Sequence, residues 1–110
     1  MSDALGDLVR SIAAGLPEAK ATSEPGAPGA GPPVAVSTWS RGGTAFAVLR
    51  PGGIEIRLDP PIAAAATRTP DVAPSPHGKE WVRFSPRELD GHAVDRLTAW
   101  LELGYRRAGE

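Results

Sequence analysis

Cysteine is absent from this 110-residue chain, which excludes disulfides, thiol chemistry and the common cysteine-bound zinc sites. Aromatic residues are few as well: three tryptophans, one tyrosine and two phenylalanines. Much of the 41% hydrophobic content is alanine, which buries little area per residue, so the expected core is small and a partner or second subunit would add to it. No apolar run approaches the roughly 20 residues needed to span a bilayer. The segment "MSDALGDLVR" carries acid where a signal peptide carries base, so the expected location is the cytoplasm, without membrane contact. Nor is there an excess of one charge. Twelve basic residues stand against 13 acidic ones, and nucleic acid is not favoured as a partner because non-specific binding needs a concentrated basic surface.

Glycine and proline are plentiful, at 13 and 12 residues, and they punctuate the chain. Leu5, Leu8, Val9, Ile12 and Leu16 recur at helical spacing, which predicts an amphipathic helix over 1–16 with Ser2 or Asp3 as its cap. Residues 17–33, "PEAKATSEPGAPGAGPP", contain no bulky apolar side chain and read as a disordered linker. Their "GAPGAG" lacks the Gly-Lys-Ser/Thr ending of a phosphate loop.

Residues 34–110 read as the folded unit. "VAVSTWS", "TAFAVLR" and "IEIRL" are separated by "RGG" and "PGG", the pattern of an antiparallel meander with tight hairpins. Ile54, Ile56 and Leu58 alternate with Glu55 and Arg57, and Phe46 and Val48 are expected on the same buried face as the isoleucines. Asp59 followed by Pro60 predicts an N-cap and a short alanine-rich helix. "TPDVAPSPHG" reads as a proline-rich loop before the strand "EWVRFS". Ser85, Pro86 and Glu88 have the form of a capping box that opens the last helix, with a second start available at Asp90. Val94, Leu97, Trp100 or Leu101, Gly104 and Ala108 would line its apolar face. Arg106 and Arg107 fall in its last turn, where positive charge suits the helix dipole. The expected class is α+β: an antiparallel meander of about four strands, with a short middle helix and a long C-terminal helix on one face, preceded by a tethered amphipathic helix.

The runs "EIRLDPPIAAAATRTPDVAPSPHGKEWVRFSP" and "LDGHAVDRLTAWLELGYRRA" resemble a group of small bacterial domains. These share a strand ending near "RLDP", a "TPD" loop, a "G-x-E-W-V-x-F-x-P" strand and a closing helix with an "A-W" pair. The Trp-Val-x-Phe strand and a helix ending in Tyr-Arg are more remotely similar to the bacterial "luciferase family" domains and to MmcQ/YjbR-like proteins. The closer resemblance covers residues 54–108 and implies a fold without an activity. The remoter ones do not extend to function: the histidines of the "luciferase" domains have no counterpart near Ile54–Leu58, and the DNA binding implied by the MmcQ/YjbR likeness conflicts with the charge balance.

Catalytic chemistry finds little support in the residues. His77 and His92 lack the paired helical spacing of a zinc motif, so no metal or other cofactor is expected. There is no Gly-x-Ser-x-Gly elbow, and Asp90, His92 and Asp95 read as a helix start. The informative residue is Trp81. It shares strand parity with Arg83, while Val82 and Phe84 take the other side. Pairing with the Ile54–Leu58 strand would set Trp81 and Arg83 beside Glu55 and Arg57, with Trp39 and Leu49 joining in a suitable register. A tryptophan–arginine face of that kind marks a contact surface. Three readings follow: a protein partner, most simply a homo-oligomer formed through this face; a core tryptophan covered by the N-terminal helix; or a platform for a small ligand or single-stranded nucleic acid. An enzyme with a site shared between subunits is a further alternative.

Overall fold

The computed structural model describes residues 4–24, 36–50, 53–75 and 78–109. Its elements are α1 (Ala4–Ala14), β1 (Ala19–Glu24), β2 (Val36–Arg41), β3 (Thr44–Arg50), β4 (Gly53–Arg57), α2 (Pro60–Ala66), β5 (Val72–Pro74), β6 (Trp81–Phe84) and α3 (Gly91–Ala108). Six antiparallel strands form one sheet in the order β1-β2-β3-β4-β6-β5. The class is α+β, with two strands more than the four expected.

Both additional strands lie at sheet edges. β1 falls within the stretch read as a disordered linker, and that reading is corrected for residues 19–24; residues 25–33 lie outside the described residues. Ala19 to Glu24 pair along the whole of β2. The neighbouring strand supplies hydrogen bonds that small residues cannot earn through burial, so tertiary context overrides weak strand propensity. β5 occupies part of the proline-rich loop and pairs with β6. Its one proline, Pro74, is tolerated because an edge strand leaves one side of its backbone unpaired.

The β2–β3 hairpin turns at Gly42 and Gly43, whose φ values of 58° and 84° are those required at both central residues of a tight turn matched to strand twist. Farther along this hairpin the register shifts. Trp39 pairs with Ala47 and Ser40 with Ala45, leaving Phe46 as an extra residue on β3. The resulting bulge puts Phe46, Ala47 and Leu49 on the helix-covered side, where Phe46 meets Tyr105 of α3 edge to face at 6.0 Å. Val48 instead stands opposite Glu55, on the second side and away from Phe46, which corrects the expectation that the two share a face.

The core lies between this sheet face and the helices. Phe46, Ile54, Ile56, Leu58, Val82, Phe84, Leu97 and Leu101 are all buried there, and Val9 and Ala13 of α1 complete it. Helix α3 approaches the sheet most closely at Gly104, where an added Cβ would stand 2.9 Å from the Arg57 carbonyl oxygen and 3.3 Å from Ile56 Cγ2. Its start is set by Asp90, whose Oδ1 accepts from Ala93 N at 2.9 Å. Ser85 does not open the helix. Its N–H donates to the Asp71 carbonyl, and the Arg87 N–H donates to Asp71 Oδ2. These bonds hold the segment that the capping box would have made helical. Asp59 occupies the N-cap position of α2 without a side-chain capping bond; its carboxylate pairs with Arg107 of α3 instead. The expected caps of α1, Ser2 and Asp3, lie outside the described residues.

Two ionic ties fasten α3 to the rest of the fold. Arg107 bridges Asp59 and Glu80, and Glu80 also receives Arg57 at 3.3 Å. Arg41 lies 4.1 Å from the centre of the Tyr105 ring, a cation–π contact, and donates to the Tyr105 carbonyl. The Tyr105 hydroxyl in turn donates to the Pro17 carbonyl between α1 and β1.

Candidate functional site

The site is built by the pairing of β4 with β6. Ile54 stands opposite Phe84 and Ile56 opposite Val82, while Glu55 stands opposite Arg83 and Arg57 opposite Trp81. Because side chains alternate along a strand, the apolar pairs turn toward the helices and the other four residues share the second face. Burial follows the same alternation on β6, with Trp81 and Arg83 half-buried and Val82 and Phe84 buried. Four of the five residues singled out from sequence are therefore brought together.

Trp39 is not among them. It is only 5% exposed and shares a cleft with Ala13 of α1 and Ala21 of β1. Its partner across β2–β3 is Ala47, itself opposite the core residue Ile56. The Phe46 bulge produces this placement. Leu49 also lies in the core, opposite Ile54. The tryptophan–arginine face is thus narrower than expected and carries one tryptophan.

Glu55 is the most buried polar residue of the face, at 1% exposure. Arg50 Nε donates to its Oε2 at 2.7 Å and Ser75 Oγ to its Oε1 at 2.9 Å. A carboxylate buried this deeply requires such partners, and both of its oxygens have one. These bonds tie Glu55 to Arg50 and to the residue that follows β5. Arg57 is similarly committed, through two hydrogen bonds to Glu80. Arg83 differs from both. Its Nε lies over Gly53, 3.0 Å from where a Cβ would stand, and among the described residues its guanidinium makes no ion pair or hydrogen bond. It presents planar donors to whatever covers this face.

Arg50 and Ser75 were not legible as site residues. Arg50 closes the β3–β4 hairpin opposite Gly53, which a careful register would have placed near Glu55. Ser75 lies 20 positions away from Glu55 and carried no signal. Among the remaining polar residues, His92 is exposed at the start of α3, and His77 lies outside the described residues. No group of three or more His, Cys, Asp or Glu among the described residues could hold a metal ion. No described helix is long and apolar enough to cross a membrane.

Compared with family models, curated proteins and solved structures, the chain matches none.

Proposed function

We propose that this protein is a non-catalytic binding or assembly module that self-associates through the second face of β4 and β6. The observation that carries the reading is the alternation on β6, which sets Trp81 and Arg83, both half-buried, on the opposite side of the strand from Val82 and Phe84, which fill the core. A tryptophan two residues from Arg83, whose guanidinium makes no ion pair or hydrogen bond among the described residues, is the composition of an interface anchor. A core so rich in alanine also gains from burial supplied by a second copy. Glu55 and Arg57, held by their own partners, form the fixed floor of the contact.

Sedimentation equilibrium of the wild type and of Arg83→Glu tests this. The wild type is expected to form a dimer that the variant loses, because two-fold symmetry brings the new carboxylate toward its own copy or onto Glu55. A wild type that stays monomeric at high micromolar concentration would overturn the reading.

A further inference from the structure

Helix α2 and the β5–β6 edge leave between them a cleft of about 340 Å³, within the range roughly 300–1,000 Å³ of small-molecule sites. Ala63 and Ala64 of α2 form one wall; Pro74, Trp81 and Val82 border the other. Two further clefts differ in kind. One lies beside the Asp71–Arg87 ion pair, with Glu88, Asp90 and Arg96 around it, and its opposed charges specify no ligand. The other is the space over Trp39, walled by alanines of α1 and β1.

Among the described residues, one charged side chain lines the α2–β6 cleft. Lys79 is exposed there and forms no ion pair among the described residues. Thr67, the one hydroxyl in the lining, already donates to the Ala64 carbonyl at 2.8 Å. Among the described residues the cleft therefore offers an apolar slot with one cation beside it and no competing acid in its wall.

We propose that this cleft binds a small apolar monocarboxylate, with its hydrocarbon body between α2 and β6 and its carboxylate on Lys79. Apolar contact supplies most of the affinity, and the charge-assisted bond fixes orientation. The proposal does not depend on self-association. A protein that binds as a monomer would lose only the assembly reading.

Naphthalene-2-carboxylate serves as the probe, read by two-dimensional NMR of the indole N–H signals, with Trp81→Phe used to assign Trp81. Saturable displacement of the Trp81 signal is expected while the Trp39 signal stays in place and reports an intact fold. Lys79→Ala should weaken binding about five- to tenfold, as loss of one exposed charge-assisted bond does. Ala64→Leu, a helix-compatible change that fills the slot, should abolish it. The uncharged naphthalene-2-methanol should bind about as weakly to the wild type as the carboxylate does to Lys79→Ala. The proposal is overturned by the absence of saturable displacement at millimolar probe, by undiminished binding to Ala64→Leu, or by equal affinity for acid and alcohol.

Discussion

Trp39 and Ala47 stand opposite each other across β2 and β3, one residue out of step with the pairing nearer the turn. That offset sets the facing of Trp39, whereas Trp81 is placed by the regular pairing of β4 with β6. With Phe46 as the extra residue, Trp39 falls on the helix-covered side at 5% exposure, while Trp81 stays half-buried on β6.

The two tryptophans should therefore respond differently to truncation. Trp39→Ala is expected to cost about 3–5 kcal/mol, the usual range for a large aromatic removed from a core, and Trp81→Ala about 1–2 kcal/mol on the same scale. Urea denaturation followed by far-UV circular dichroism gives both values. Equal losses would contradict the assignment.

Gly104 should tolerate no side chain. Alanine at that position gains about 1 kcal/mol of helix propensity. It also places a methyl 2.9 Å from the Arg57 carbonyl oxygen, and backbone displacement of that kind costs about 1–3 kcal/mol. Gly104→Ala is expected to lower the thermal midpoint, whereas the same change at exposed Gly91, where a Cβ meets nothing, should not.

Helix α1 docks on its own domain through Val9, which is fully buried, and Ala13. Val9→Ala should destabilise the protein by about 1–2 kcal/mol and loosen the cover over Trp39. The check is fluorescence quenching by iodide, which should reach the buried tryptophan more readily in the variant. Unchanged stability and quenching would mean that α1 contributes nothing to the core.

Glu55 and Arg50 form the most buried ion pair of the second face, with side-chain exposures of 2% and 40%. Removing Arg50 leaves a buried carboxylate without one of its hydrogen-bond donors, so Arg50→Met should destabilise more than Glu55→Gln, which removes the charge itself. In a double-mutant cycle a coupling of about 1 kcal/mol is expected, discounted because Arg50 is partly screened by solvent. Zero coupling would indicate an adventitious surface contact.

What could be read from the sequence was the part with strong local signals. β3, β4, β6, α2 and the latter part of α3 announce themselves through alternation, helical spacing and the Asp59-Pro60 and Asp90 starts. β1 does not, because "AKATSE" carries no large apolar residue and becomes a strand only beside β2. β5 is hidden among prolines. The placement of Trp39 was out of reach for a sharper reason: side-chain facing depends on strand register, and the Phe46 bulge that shifts it has no glycine or other marker in "TAFAVLR". The pairing of Glu55 with Arg83 was accessible because β4 and β6 run without irregularity.

The most direct test of the binding surface is an isotope-filtered NMR experiment on a mixture of labelled and unlabelled protein, which detects only contacts between copies. Contacts from Trp81 and Arg83 of one copy to the β4–β6 face of another are the predicted result. Contacts confined to other surfaces, or none at concentrations that favour association, would contradict it.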